Sequence, residues 1–92
     1  MNTKQIIAKA SALFEASAKA WEKGNNSGDP AALRFYESVC IARRHDAEDL
    51  LRPFGIRCDY PGLYPSFTVN GFGYYTVESA VSAALEGKEQ TV

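Results

Sequence analysis

The sequence predicts an α+β domain in which two helices precede a small three-stranded antiparallel sheet and a C-terminal helix, an ααβββα order. Three observations predict this fold class. Apolar residues recur every three or four positions in the first half of the chain, they alternate with polar residues beyond Gly55, and an Asn-Gly pair separates two short apolar runs. With 92 residues, 46% of them apolar, the chain is expected to form a single soluble domain, residues 1–92, around one modest core.

The first predicted helix covers residues 3–23. Asn2 and Gln5 have the spacing of a capping box at its start, and Gly24 stands where a left-handed helix stop is favoured. Trp21 carries the largest apolar side chain of the helix. We therefore expect its removal to destabilise the domain more than the removal of any other residue.

A polar, glycine-containing loop at residues 24–29 connects this helix to a second one at residues 30–52. Asp29 is a favourable N-cap, and Pro53 forces the second helix to end. The apolar stripe of this helix is broadest before Arg43. This half of the helix is therefore expected to lie between the first helix and the sheet, and the half that follows is expected to be partly exposed.

Three strands and a last helix complete the predicted fold. The Asn70–Gly71 pair tolerates the two positive φ values of a type I′ turn and so predicts a two-residue hairpin. In that register four large side chains, Phe72 among them, share one face, which we expect to pack on the helices. The predicted strands cover residues 56–60, 66–69 and 72–75, followed by a helix at 77–86 and a frayed tail at 87–92.

Charge and hydropathy exclude several classes of protein. Ten basic and eleven acidic residues give a net charge of −1, so the overall field attracts neither nucleic acid nor an anionic membrane strongly. No apolar run reaches the roughly 20 residues that a membrane-spanning helix needs. The first residues do not resemble a secretory signal, and a cytoplasmic protein is therefore expected.

The reactive residues do not form a recognisable catalytic or metal-binding pattern. The chain contains two cysteines, Cys40 and Cys58, and one histidine, His45, which are too few and too widely spaced for a zinc site. Cys40 and His45 lie five positions apart on a helix and point to different sides. We therefore expect no enzymatic activity, no cofactor, no metal and no small-molecule substrate, and both cysteines are expected to be reduced.

The distribution of arginine is the strongest indication of a binding surface. The lysines lie outside the middle of the chain, whereas all the arginines fall within it. These arginines are Arg34, Arg43, Arg44, Arg52 and Arg57. Arginine suits planar, bidentate contact with carboxylates and phosphates. These residues are therefore candidates for partner binding. Lys19 and Lys23 are expected to extend the surface, and Tyr64, in a Pro/Gly loop, is a candidate interface anchor.

A purely structural role for the same arginines stays open. Arg44 and Arg52 each lie four positions from Glu48 on the predicted second helix. Pairs at this spacing stabilise a helix by only a few tenths of a kcal/mol each. The sequence does not decide between local pairing of this kind and a recognition patch.

Four segments together resemble a known group of proteins: residues 6–10, which are rich in alanine, 42–46, which contain two adjacent arginines, 60–65, with the sequence Tyr-Pro-Gly-Leu-Tyr-Pro, and the 70–71 turn. Over its full length the chain resembles phage-encoded anti-CRISPR proteins that act on type I-F systems. The resemblance implies a stoichiometric inhibitor that binds the multisubunit Cas surveillance complex and blocks hybridisation of target DNA to its crRNA. It leaves direct contact with the crRNA open, and it implies no catalysis.

Two other classes are compatible with the residues. A nucleic-acid-binding accessory domain of a phage or mobile element would use the arginine-containing helix, although eleven acidic residues disfavour it. An adaptor that binds another protein partner has no sequence feature that separates it from an inhibitor. A steep fall with salt in the affinity for free nucleic acid would distinguish the nucleic-acid-binding domain from the other two classes.

Overall fold

The computed structural model describes residues 1–90, with side chains as far as Gly87, and its element order confirms the predicted ααβββα fold. In the described part of the chain, three helices accompany one antiparallel sheet in which the strands lie side by side in chain order. The elements are α1 (Thr3–Asn26), α2 (Pro30–Leu51), a 3-10 turn (Arg52–Phe54), β1 (Arg57–Asp59), β2 (Ser66–Val69), β3 (Phe72–Tyr74) and α3 (Val77–Gln90).

Both N-terminal helices begin where their capping residues predict. The Gln5 backbone N–H donates to Asn2 Oδ1 at 2.8 Å, and the Asn2 N–H donates to Gln5 Oε1 at 2.9 Å, which completes a capping box. Asp29 Oδ1 accepts from the Ala31 N–H at 3.1 Å at the start of α2.

The end of α1 differs from the prediction, because Gly24 does not stop the helix. α1 continues through Asn26, and the left-handed residue is Gly28, with φ of 68°. Gly24 is buried against α2, where an added Cβ would lie 3.1 Å from the Tyr36 Cβ. Gly24 therefore allows the two helices to approach closely, and the loop between them shortens to three residues.

The core lies at one end of an elongated molecule whose principal extents are 54 × 26 × 14 Å. One face of the sheet, α3, the start of α1 and the end of α2 surround it. Its buried members are Ala10, Phe14, Ala47, Leu51, Ile56, Phe67, Val69, Val77, Ala80, Val81 and Ala84. The other end of the α1–α2 hairpin, residues 16–26 and 30–43, extends from this core and is called the arm below.

The expectation for the burial of α2 is therefore wrong. The second half of α2, which contains Ala47 and Leu51, packs into the core, whereas the half before Arg43 contacts α1 and carries the exposed Phe35 and Ile41. A broad apolar stripe does not by itself require packing on two sides. In the arm it meets a helix on one side and solvent on the other.

Trp21 is 44% exposed, which contradicts the expectation that it anchors the core. It lies on the arm and is not part of the core cluster or of the residues packed against it. The facing surfaces of α1 and α2 there meet through small buried residues such as Ala18 and Gly24, so the two helices lie too close for an indole to fit between them. Phe14, only 4% exposed, is the aromatic residue of α1 that fills the core.

The hairpin has the predicted turn and register. Asn70 and Gly71 have φ values of 51° and 85°, and Val69 pairs with Phe72 across the strands. Val69 is buried in the core as predicted, but Phe72 is 68% exposed. Phe72 borders a cleft with Ala83 and Glu86 of α3, but α3 leaves most of its ring uncovered, so sharing a face with core residues does not bury it.

Three further boundaries differ from the prediction. β1 is shorter than residues 56–60, because Gly55, with φ of 71°, and the Pro/Gly loop at 61–65 interrupt strand geometry. β3 ends at Tyr74 instead of Tyr75, where the chain turns toward Thr76, whose hydroxyl caps the start of α3. α2 ends at Leu51, and the 3-10 turn takes up Arg52.

The last helix also extends farther than predicted. α3 runs through Gly87 to Gln90 instead of ending at residue 86, and residues 91–92 of the predicted tail lie outside the described part of the chain. An added Cβ at Gly87 would lie 2.7 Å from Asn70 Nδ2 in the hairpin turn. Gly87 therefore permits a close approach of the turn and does not terminate the helix, and the residues that follow it, Lys88 and Glu89, are good helix formers.

Candidate functional site

A groove of about 610 Å³ lies between α1 and α2 on one side of the arm. Ala16 and Ala20 of α1 face Tyr36 and Val39 of α2 across it. Because the alanine side chains are small, the groove is wide enough to admit side chains of a partner.

Three cations surround this groove and define what is called the basic groove below. Lys19 and Lys23 lie one helical turn apart on α1, and Arg43 approaches from α2. Among the described side chains, none of the three has an ion-pair partner within 4.0 Å. Glu22 is the acidic residue of the lining, so the groove carries a local positive charge on a protein whose net charge is −1.

Two predicted partner-binding arginines are engaged by neighbouring acids. Arg52 Nη2 lies 2.7 Å from Asp49 Oδ1, and Arg57 Nη2 lies 3.4 Å from Asp59 Oδ2. Both pairs are exposed and contribute little to stability. Their guanidinium groups are partly neutralised, and neither lines the basic groove.

Arg34 lies on a different side of the arm. Arg34 and Arg43 are nine positions apart, which corresponds to about half a rotation around α2. Its Nε donates to the Pro30 carbonyl oxygen at a long 3.4 Å. The structure therefore does not bring Arg34 and Arg43 to one surface.

Arg44 holds the Pro/Gly loop against α2. Its guanidinium carbon lies 4.2 Å from the centre of the Tyr60 ring, and Nη2 donates to the Leu63 carbonyl oxygen at 3.4 Å. Its Nε is buried with no hydrogen-bond partner among the described residues. Arg44 is thus turned toward the protein and stabilises the loop that carries Tyr64.

Tyr60 joins the same network through its hydroxyl, which donates to Glu48 Oε1 at 2.7 Å. Burial, followed by this hydrogen bond to Glu48, raises the pKa of the Tyr60 hydroxyl above its ordinary value. His45 Nδ1 lies 3.5 Å from the other Glu48 oxygen. Glu48 is therefore occupied by Tyr60 and His45, and it does not form the predicted pairs with Arg44 and Arg52.

The five arginines consequently do not form one free surface. Three of them are held by contacts within the chain, Arg34 faces elsewhere, and Arg43 alone joins Lys19 and Lys23. Sequence reasoning missed Tyr36 and Val39 as part of this site. Tyr36, Val39 and Arg43 are spaced three and then four positions apart. Residues with this spacing share one face of a helix, so the sequence does contain a signal that groups them.

Tyr64 is 53% exposed, as suits an interface anchor. It does not lie in the basic groove but lines a separate cleft with Glu15 and Tyr75. Tyr75 belongs to the tyrosines for which the sequence leaves a role as interface anchor or core residue open. Glu15 was not singled out, because an isolated glutamate carries no signal.

The two thiols and the histidine are dispersed. Cys40 is buried, Cys58 is half-buried, and both are free thiols. Burial, with smaller effects of Glu48 and Asp59, raises the pKa of the Cys58 thiol to about 11, so the thiol stays protonated and weakly nucleophilic near neutral pH. In the part of the chain that the structure describes, no three His, Cys, Asp or Glu side chains come together as metal ligands.

Comparisons of the chain with protein-family models, with curated proteins and with solved structures find no match. Among the described residues, none of the helices combines the length and apolar character needed to cross a membrane.

Proposed function

We propose that this chain is a stoichiometric inhibitor that binds the crRNA-guided type I-F surveillance complex and prevents hybridisation of target DNA. It acts in the cytoplasm of an infected bacterial cell and turns over no substrate. The contact surface is the basic groove, with Lys19, Lys23 and Arg43 as its charged contacts.

The observation that carries this proposal is the set of three cations, which have no ion-pair partner among the described side chains, around an apolar floor on an extended arm. A guide RNA and the protein subunits that hold it offer phosphates and carboxylates within one assembly. Arginine and lysine without internal partners are free to bind such groups, and the apolar floor supplies the desolvated centre that stable interfaces need.

The size of the protein is sufficient for this role. A standard interface buries roughly 800 Å² per partner, which is about an eighth of the 6037 Å² surface of the chain. The part of α1 that belongs to the arm, residues 16–26, is about 16 Å long. The arm is therefore long enough to enter a cleft of a larger complex while the core stays outside.

The decisive experiment is size-exclusion chromatography with purified type I-F surveillance complex, followed by a gel shift with target DNA. We expect co-elution and loss of DNA binding. The variant K19A/K23A/R43A is expected to bind the complex at least about tenfold more weakly, because a few central residues carry most of the binding energy.

A matched control removes the same number of positive charges elsewhere. Lys4 and Lys9 are exposed outside the arm, and Arg52 is paired with Asp49. The variant K4A/K9A/R52A is expected to bind and inhibit like the unchanged protein. Equal loss in both variants would show that net charge, and not the groove, determines binding; failure of the unchanged protein to co-elute would refute the proposed function itself.

The nucleic-acid-binding alternative makes a different prediction for free RNA and DNA. Three groove cations that neutralise phosphates would give a log–log salt slope of about −2 to −3. We expect no such binding below micromolar concentrations, because the remainder of the surface carries excess negative charge. Tight, salt-dependent binding to free nucleic acid would replace the inhibitor with an accessory domain.

A further inference from the structure

A second cleft, of about 290 Å³, lies where three segments of the chain meet. α1 contributes Glu15, the Pro/Gly loop contributes Tyr64, and the junction between β3 and α3 contributes Tyr75. The lining shares no residue with the basic groove. The cleft is therefore a separate feature, and its role does not depend on the function proposed for the groove.

The base of the cleft is rigid. Phe14 and Phe67, both buried, pack edge to face with ring centres 5.5 Å apart. The walls, in contrast, are exposed: Tyr64 is 53% and Tyr75 is 87% accessible to solvent. The fold gains little from these two rings, so they remain available to a ligand.

The electrostatics of the cleft favour a cation. The faces of aromatic rings carry partial negative charge, and Glu15 adds a full one. Among the described side chains, none donates a hydrogen bond to the Glu15 carboxylate or lies within ion-pair distance of it. Glu78 in the first turn of α3 offsets the partial positive charge of that helix start beside the cleft.

We propose that this cleft binds an arginine side chain presented by a partner protein. A guanidinium group is planar and weakly hydrated, so it stacks on the ring of Tyr75, the more exposed of the two tyrosines, while its N–H groups donate to Glu15. A lysine ammonium lacks the planar face, and a phosphate would be repelled by the carboxylate. The cleft thus prefers a basic protein segment to a nucleic acid.

The direct test is an NMR titration of the full-length, ¹⁵N-labelled protein with the peptide acetyl-Gly-Arg-Gly-amide. The control peptide replaces arginine by citrulline, which has nearly the same shape and no charge. We expect saturable shifts at Glu15, Tyr75 and their neighbours with the arginine peptide, and at least about fivefold weaker binding of the citrulline peptide. Equal binding of both peptides, or no saturable shift with either, overturns the proposal.

Substitutions separate a cation–π site from a merely apolar one. Tyr75→Phe keeps the ring face and is expected to bind the arginine peptide normally, whereas Tyr75→Leu keeps apolar area without the ring and is expected to bind about two- to fivefold more weakly. Glu15→Gln is expected to weaken binding about fivefold. Phe72→Leu, at an exposed aromatic residue outside the cleft, is the control. Full binding by Tyr75→Leu would overturn the cation–π assignment.

Discussion

Removal of the Tyr60 hydroxyl tests the network that holds the Pro/Gly loop. In Tyr60→Phe the ring under the Arg44 guanidinium remains, and only the 2.7 Å hydrogen bond to Glu48 is lost. Hydrogen bonds to charged groups contribute about 1.5–3 kcal/mol when they are well buried. The Glu48 side chain is 28% exposed, so water replaces part of the lost bond, and we expect a loss of about 1 kcal/mol in the free energy of unfolding.

The assay is urea unfolding followed by circular dichroism. For a domain of this size a loss of 1 kcal/mol lowers the urea midpoint by about 0.7–1 M, or the Tm by about 4–8 °C. Tyr75→Phe is the matched control, because its hydroxyl is exposed and has no partner among the described residues. A midpoint for Tyr60→Phe that equals that of the control would refute the role assigned to this hydrogen bond.

Alkaline pH, helix contact and core burial give three further predictions. The pKa of the Cys58 thiol is raised to about 11 in the folded protein, so this thiol ionises at a lower pH in the unfolded chain than in the folded one. The free energy of unfolding should therefore fall as the pH rises from about 9 to 11. Urea midpoints measured over this range should fall less for Cys58→Ala than for the unchanged protein. Gly24→Val should lower the free energy of unfolding by about 1–3 kcal/mol, because the added side chain forces the helices of the arm apart. Gly73→Ala adds a methyl group in open space and should be tolerated, and thermal unfolding of both variants checks this difference. Phe14→Ala should cost about 3–5 kcal/mol and Trp21→Ala clearly less in the same assay; a larger cost at Trp21 would contradict the burial seen here.

Local signals were sufficient for the order of elements and for the turns. The Asn2 capping box, the Asp29 cap and the Asn70–Gly71 turn each depend on atoms within a few residues, so the sequence contains the information needed to predict them. Glycine gave wrong predictions of helix ends, because its role here is not local. At Gly24 and Gly87 the absence of a side chain serves a contact with a distant segment, which a local pattern does not reveal.

Burial and the candidate site depended on tertiary arrangement. The sequence shows that the first half of α2 is apolar, but not that the sheet packs on the second half. It likewise groups Arg43 and Arg44 as neighbours, although one faces the basic groove and the other contacts Tyr60. Two adjacent helical positions differ by about 100° around the axis, and only the placement of neighbouring elements decides which of them meets solvent.

The unequal distribution of the core along the molecule has a consequence for hydrogen exchange. Backbone amides of α1 and α2 near Ala10 and Ala47 are expected to open only with the whole domain, whereas those near Asn26 and Pro30, where α1 packs on α2 away from the core, are expected to open separately. Deuterium uptake should therefore proceed from the tip of the arm toward the sheet. A macromolecule bound to the arm would slow deuterium uptake there first, so exchange at the tip of the arm measures whether the arm is bound.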